Sequence, residues 1–238
     1  MNHSDRTNSS GTLDSAPPTR TYSWWDPLAC IAQKLDASIA TAIAALPLKN
    51  GARILDYGCG DRPYRELFPE TCVYSGADLP GNPNADWTID AAGKIPVPDE
   101  SFDLIFSTQV LEHVDDPAAY LLECHRMLRP DGKLLLTTHG LMFLHPHPRD
   151  LWRWTLDGLQ LALNQAGFRA QKSLGVLGLV PTAAWLAAFH IQAKLPWGLK
   201  HLFMLAANLF IYTTDRLTSD ASRLENACVY ALIAERVE

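Results

Sequence analysis

A glycine-rich turn after a short apolar run, Asp56-Tyr57-Gly58-Cys59-Gly60, is the first feature whose residue types could do chemistry. Glycines at alternate positions allow a tight turn and let the backbone approach a ligand closely. A helix that begins at Pro63 would direct its free N–H groups at a carboxylate. Asp78, about twenty residues further on, could accept hydrogen bonds from both hydroxyls of a ribose.

The same layout occurs in dinucleotide-binding folds, which require a third glycine where this chain has Pro63. A nicotinamide-dependent oxidoreductase is therefore the weaker interpretation of the turn. It stays open as an alternative because the rest of the pattern fits it.

A second group of chemical residues lies in Thr138–Trp154, the end of a strongly apolar run and the loop after it. Histidine can take a proton near neutrality, which an oxygen nucleophile often requires, and the candidate bases are His139, His145 and His147. The residues that could hold a sugar hydroxyl or a phosphate, or stack on a sugar ring, are Arg149, Asp150, Trp152 and Arg153. The alternative is that the histidines are structural or solvated. Their irregular spacing does not support a metal site, and no metal is expected.

The elements that position these residues alternate between strands and helices, which predicts an α/β fold. We expect a Rossmann-like, doubly wound, mostly parallel seven-stranded sheet with a helical insertion before the last strand. The predicted strands are Arg53–Tyr57, Cys72–Ala77, Trp87–Ile89, Phe102–Ser107, Lys133–Thr138, Phe168–Leu174 and Asn226–Glu235. The predicted helices are Trp24–Leu46, Pro63–Phe68, Pro117–Leu128 and Thr155–Ala166, with a turn at Arg129–Gly132.

The insertion, about residues 176–217, is apolar and has no acidic residue between Asp157 and Asp215. Pro181 and Pro196 divide it into two expected helices, about 182–194 and 197–213, each shorter than the roughly 20 residues that span a bilayer. It could be a lid over the substrate, a dimer face or a shallow membrane contact. The aromatic residues that would suit a bilayer interface are Trp185, Phe189, Trp197, Phe203 and Phe210.

The composition and net charge of the chain bear on its domain organisation, its partners and its location in the cell. A chain of 238 residues with 47% hydrophobic and 19% charged residues predicts one folded domain over residues 21–238, behind a disordered tail of residues 1–20. The formal net charge of −6 argues against a nucleic-acid partner. Scattered cysteines and a polar N-terminus favour a cytoplasmic protein, with contact at the inner face of the membrane left open.

Three segments, in the right order, resemble class I S-adenosylmethionine-dependent methyltransferases. Ile54–Gly60 resembles their motif I, Phe102–Ile105 with Gln109–Val114 resembles their fourth strand and the turn after it, and Leu128–Leu134 resembles the turn into their fifth strand. The resemblance covers roughly residues 50–175 and the last strand. The variant Gly-Cys-Gly-x-x-Pro-Tyr is also similar to a bacterial, methyltransferase type 11-like subgroup often associated with surface-polysaccharide pathways.

The resemblance implies S-adenosylmethionine as cofactor. Asp56 and the glycines would shape the loop near its methionine part, Asp78 would bind the ribose hydroxyls, and Asp90 would read the adenine amino group, with Asp86 as the alternative. The implied cofactor-binding residues are Asp56, Gly58, Cys59, Gly60, Asp78, Leu79, Asp90, Ala91, Gln109 and Val110.

Arg62 and His113 are two further residues for which the sequence gives an expectation. Many members of the family have a third glycine where this chain has Arg62, which we expect to be tolerated if its side chain points outward. His113, next to the pocket wall, is expected to pack or cap locally rather than touch substrate.

The sequence therefore predicts a methyltransferase that acts on a small-molecule or glycan acceptor, including lipid-linked glycans, by O-methylation. A noncatalytic S-adenosylmethionine-binding protein, acting as a regulatory or interaction module, is the alternative from another class. A homodimer and peripheral membrane contact through residues 182–213 are further expectations.

Overall fold

The computed structural model describes residues 22–145 and 149–237. The tail expected for residues 1–20 and the candidate base His147 lie outside the described residues. Within them the chain folds around one seven-stranded sheet with helices on both faces.

The strands are β1 (Arg53–Tyr57), β2 (Val73–Asp78), β3 (Trp87–Thr88), β4 (Phe102–Thr108), β5 (Leu128–His139), β6 (Phe168–Val176) and β7 (Val229–Arg236). Their order in the sheet is β3-β2-β1-β4-β5-β7-β6, and β7 runs antiparallel to both of its neighbours. The other pairs are parallel. The expected mostly parallel, doubly wound sheet is confirmed. Because the order reverses between β1 and β4, the loops after these strands border a crevice at the carboxyl edge.

The helices are α1 (Ala29–Ala44), α2 (Pro117–Met127), α3 (Leu156–Gln165), α4 (Leu179–Gln192), α5 (Trp197–Arg216) and α6 (Asp220–Glu225). Thr155 caps α3 by accepting the Gly158 amide at 3.1 Å, as its position predicts. The two helices expected in the insertion are present as α4 and α5, but α5 has 20 residues, which corrects the expectation that both are shorter than that. Pro181 lies in the first turn of α4 instead of before it, because a proline there removes no helical hydrogen bond.

Three local expectations are wrong. Residues 63–68 form only one 3-10 turn, Arg65–Leu67, because Phe68 precedes a proline and is extended. No α-helix N-terminus therefore follows the glycine turn. The first helix begins at Ala29, after a turn in which Asp26 accepts the Leu28 amide, and not at Trp24. The turn expected at Arg129–Gly132 is instead part of β5, where the pairing with β4 shifts register.

The insertion packs against the body of the protein. Trp185 of α4 is fully buried and donates its Nε1–H to the Pro27 carbonyl at 2.7 Å. Phe143, in the loop after β5, stacks on Trp185 and on Phe189, with ring centroids 5.1 and 4.4 Å apart. Trp185 and Phe189 therefore face the protein, which corrects their expected place at a bilayer interface. Over the described ranges, no helix combines the length and the apolar character needed to cross a membrane.

Candidate active site

The glycine turn after β1 is held against two neighbouring strands. The amides of Gly58 and Cys59 both donate to the Ala77 carbonyl, at 2.8 and 3.0 Å. Gly58 has φ +91°, and a Cβ at this position would lie 2.4 Å from Cγ2 of Val110. Gly58 is therefore required both by its backbone conformation and by the close approach of Val110.

Gly60 joins this turn to the end of β2. Its amide donates to Oδ2 of Asp78 at 2.8 Å, and Oδ1 of Asp78 accepts the Leu79 amide at 2.7 Å. Asn82, which sequence reasoning missed, donates its Nδ2 to both the Gly60 carbonyl and Asp78 Oδ2. A Cβ on Gly60 would contact nothing within 4 Å, so there is open space beside the Gly60–Asp78 contact.

Asp56 is buried beneath the turn, with 2% of its surface exposed. The Tyr74 hydroxyl donates to its Oδ2, whereas Oδ1 has no hydrogen-bond partner within the described residues. Burial raises the pKa of Asp56 to about 7, although the Tyr74 hydrogen bond lowers it. A buried oxygen without a donor is costly, so this oxygen marks a place where a bound donor would stabilise the site.

Arg62 is accommodated without pointing outward, which was the condition under which we expected it to be tolerated. It has φ +54°, the conformation that favours the glycine of the family pattern. Its Nη2 pairs with Asp86 at 2.7 Å, and its Nε lies 2.9 Å from where a Cβ of Gly76 would be. The side chain thus runs along β2, where Gly76 leaves room for it and for the buried thiol of Cys59.

The two acidic candidates beyond β3 differ in how they are held. Oδ2 of Asp86 accepts from both Arg62 and the Gly76 amide, so this carboxylate is committed to structure. Asp90 is exposed, and its Oδ1 accepts the Ala92 and Lys94 amides at 2.9 and 2.8 Å. Ala91 beside it is exposed too. Both carboxylates are exposed, and they differ in that Asp86 is paired with Arg62 whereas Asp90 accepts from backbone amides of its own loop.

The wall opposite the glycine turn follows β4. Gln109 has φ +55° and donates its backbone N–H and its Nε2 to the carbonyl and Oγ1 of Thr137, both at 3.0 Å. These bonds fix the end of β4 to β5 and place Val110 over Gly58.

A cluster of three histidines lies where the turn after β4 meets the loop after β5. The rings of His139 and His145 are 6.0 Å apart, and His113 lies 6.5 Å from the first and 5.8 Å from the second. His113 was expected only to pack or cap, and nothing in the spacing of the sequence indicates that it joins these candidates. Its Nδ1 contacts the Arg149 carbonyl, which assigns the hydrogen to Nδ1 and leaves Nε2 as a proton acceptor.

His139 is the buried member of this cluster. Its Nε2 lies 3.3 Å from Oε1 of Glu112, and the side chains are 3% and 0% exposed. Burial lowers the pKa of His139 to about 3 and raises the pKa of Glu112 to about 7. Oε2 of Glu112 also accepts the Thr138 hydroxyl at 2.9 Å. Both side chains are buried away from water, and His139 therefore stays neutral at neutral pH.

Arg153 and Asp150 fix the shape of the histidine loop. Arg153 makes a two-armed pair with Asp150, both arms at 2.5 Å, and donates to the Met142 and Phe143 carbonyls. Asp150 accepts the His145 amide at 2.6 Å. The Arg153 hydrogen bonds hold the pKa of Asp150 at about 2. These two candidate substrate ligands are thus occupied by contacts within the loop.

Arg149 and Trp152 lie at the rim of the loop. Arg149 pairs with Asp115 at 2.6 Å, and its side chain is 63% exposed. Trp152 donates its Nε1–H to the Val114 carbonyl at 2.8 Å and keeps 39% of its surface exposed. Both side chains present surface that an acceptor can contact.

The chain matches the family described as "Methyltransferase domain" over residues 31–170, and it belongs to that family. It is 34% identical over 145 residues to a probable S-adenosylmethionine-dependent methyltransferase of Mycolicibacterium smegmatis, an overlap of 53% of this chain and 55% of the relative. It is 28% identical over 167 residues to a ubiquinone biosynthesis O-methyltransferase of Cereibacter sphaeroides, an overlap of 55% and 66%. The matches thus span about half to two thirds of the length of these relatives.

Among solved structures, the cyclase SpnF has a similar fold. The TM-score is 0.55 at 19% sequence identity, over 89% of this chain and 85% of that one. This similarity confirms the Rossmann-like fold, which by itself does not define a reaction.

Substitution of Gly58 tests the close approach beneath Val110. In Gly58→Ala, the methyl group collides with Cγ2 of Val110 and the residue keeps an unfavourable positive φ, so we expect a loss of about 2–4 kcal/mol of unfolding free energy. The double variant Gly58→Ala/Val110→Ala should recover part of that loss, because the colliding methyl is gone. Urea unfolding of both, with Val110→Ala as control, measures the coupling. Additive effects of the two substitutions would contradict the contact.

Asp56→Asn tests the buried carboxyl. The raised pKa means that the folded protein keeps this proton between about pH 4 and pH 7, where the unfolded chain has lost it, so Asp56 makes stability fall as the pH rises through this window. The stability of Asp56→Asn relative to the parent should therefore increase by at least about 1 kcal/mol between pH 5 and pH 8. Urea unfolding at both pH values measures this difference. Equal differences at the two pH values would show that the carboxyl is not perturbed.

Proposed function

We propose that this chain binds S-adenosylmethionine at the carboxyl edge of β1, β2 and β4 and transfers its methyl group to an acceptor. The observation that carries the proposal is the Gly60–Asp78 contact beside open space, within a chain of the methyltransferase-domain family. The residues present fit the cofactor. A side chain at Gly58 would collide with Val110 beside the turn, and the buried Oδ1 of Asp56 has no donor among the described residues.

Each part of the cofactor has a candidate partner. Asp78 would accept the ribose hydroxyls chiefly at Oδ1, which accepts the Leu79 amide and has further lone-pair capacity, whereas Oδ2 already accepts from both Gly60 and Asn82. Asp90 would accept from the adenine amino group, with Leu79 and Ala91 beside the ring. The turn Gly58–Gly60 would hold the methionine part, and Gln109 and Val110 would form the opposite wall.

The bound cofactor supplies a methyl group that is already activated by a sulfonium charge. The chain's own residues then need to orient an acceptor atom and remove its proton. We infer an oxygen acceptor, because the histidine cluster stands at the strand ends and because one relative is named an O-methyltransferase.

We assign the proton acceptor to Nε2 of His113. His113 is half-buried, and the Arg149 carbonyl fixes its ring with Nε2 as the acceptor nitrogen. His139 is buried and its pKa of about 3 makes it a weak base, so its role is to support the cluster together with Glu112. His145 lies at the exposed side of the cluster, where it can orient the acceptor.

The acceptor class follows from the rim of the histidine loop. Arg149 and Trp152 offer a cation and an aromatic face, a combination that suits a glycan hydroxyl next to a sugar ring. We therefore propose a small-molecule or glycan acceptor, with lipid-linked glycans included. The scattered cysteines suit a cytoplasmic location, which we also propose.

Isothermal titration of S-adenosylmethionine, S-adenosylhomocysteine and NADH tests the cofactor assignment. We expect binding of both sulfur compounds and none of NADH, and we expect Asp78→Asn to weaken binding about 10- to 100-fold, the loss of one charged hydrogen-bonding group. Asp131→Asn is the matched control, because Asp131 lies at the opposite end of β5 with a φ of +62° that asparagine tolerates. Binding of NADH alone, or equal losses in both variants, would contradict the proposal.

The base is tested by the release of S-adenosylhomocysteine with hydroxyl-bearing acceptors. His113→Gln should lower kcat at least about 100-fold and leave cofactor affinity unchanged, and a rising pH should partly restore its rate. His145→Gln should have a smaller effect. A His113→Gln enzyme with unchanged kcat would rule out this base. Cofactor binding without turnover of any acceptor would favour the noncatalytic alternative.

A further inference from the structure

The outer side of α5 carries an unpartnered apolar surface. Its inner side is a buried stripe of Met204, Asn208, Ile211 and Asp215, which attaches the helix to the protein. The opposite side exposes a continuous set at helical spacing, here called the α5 apolar face, which consists of Leu199, Leu202, Leu205, Leu209 and Phe210. Leu202 and Leu209 remain 66% and 64% exposed. A surface of this kind on a single domain marks an interaction site.

Exposed tryptophans extend this face at the start of α5. Trp197 is 81% exposed, and its ring lies 4.9 Å from His201, which in turn lies 6.2 Å from Trp25. Asn208 holds the neighbouring segment by donating to the Trp24 carbonyl at 2.5 Å. The N-terminal segment, which the sequence did not connect with the insertion, thus adds two exposed indoles to the surface.

Two basic residues stand at the ends of this surface. Lys194 is exposed before its first residue, and Arg216 is exposed on the same side of α5, seven residues after Leu209. No Asp or Glu occurs between Asp157 and Asp215, although Asp26 lies in the adjoining N-terminal segment and the chain as a whole has a net charge of −6. A local cationic border on an acidic protein is complementary to an anionic surface. In a symmetric dimer through this face, the basic residues of one copy would lie near those of the other, which disfavours self-association through it.

The outer face cannot be a lid over the site. It lies on the side of α5 that is turned away from the buried stripe, whereas the contact with the histidine loop is made by Phe189 of α4. Leucine and phenylalanine at the centre, tryptophan at one end and lysine at the border together are the composition of a helix that lies in a membrane interface.

We propose that the α5 apolar face and the tryptophans beside it dock the protein onto an anionic lipid bilayer, lying in the interface without crossing it. Leu202, Leu209 and Phe210 enter the boundary between headgroups and acyl chains, and Lys194 and Arg216 contact the headgroups. This docking does not depend on the proposed methyl transfer, because neither cofactor nor acceptor takes part in it.

Vesicle flotation with the full chain tests the proposal. The probes are vesicles of phosphatidylcholine alone and of phosphatidylcholine mixed with phosphatidylglycerol. We expect binding to the mixed vesicles that weakens in high salt, and a loss of at least about five-fold in Leu202→Ser/Leu209→Ser. The matched control is Leu122→Ser/Leu161→Ser, which changes two leucines of similar exposure on α2 and α3. Lys194→Glu/Arg216→Glu should reduce binding to the anionic vesicles selectively.

Urea unfolding serves to check that each variant is folded. Brominated acyl chains should quench the fluorescence of the exposed tryptophans when the protein is bound to vesicles. No binding to either vesicle at low salt, or equal loss in the control variant, would overturn the proposal. A dimer in sedimentation velocity that Leu202→Ser/Leu209→Ser converts to a monomer, without vesicle binding, would identify the face as a subunit interface instead. Cofactor titration of the same variants should be unchanged, which separates this test from that of the methyltransferase.

Discussion

The site depends on the hydrogen bond from the Gly60 amide to the Asp78 carboxylate. It can form because β1 and β2 are parallel neighbours, so that the loops after both strands leave the same edge of the sheet. The bond leaves Gly60 with open space on one side and fixes Asp78 through Asn82 and Leu79 on the other. Val110, in the turn after β4, lies over Gly58 and bounds this part of the carboxyl edge.

This preorganised arrangement costs folding free energy, and the residues that bear the cost lie close to the site. Arg62 and Gln109 adopt positive φ angles, and Asp56 and Glu112 are buried carboxyls with raised pKa values. Neighbouring contacts offset part of each cost: the Asp86 pair holds Arg62, and Thr137 holds Gln109. Strain and buried polar groups concentrated in one region are typical of functional sites, because folding alone does not require them there.

The sequence predicted the sheet, both insertion helices and the glycine-turn residues, because these depend on local spacing and apolar periodicity. It could not predict the direction of Arg62, since the space for that side chain comes from Gly76 on another strand. It did not group His113 with the other histidines, because the cluster forms only where the turn after β4 meets the loop after β5. It also assigned Arg153 by residue type alone, whereas the fold uses this side chain to hold the loop.

Hydrogen exchange measured by mass spectrometry, with and without S-adenosylmethionine, tests the central claim most directly. We expect slower amide exchange in three separate segments, residues 57–62, 76–82 and 89–93, because the bound cofactor contacts all three loops at the carboxyl edge. Exchange in α6 and β6 should not change. Unchanged exchange in all three segments at saturating ligand, or protection confined to the insertion, would contradict the account.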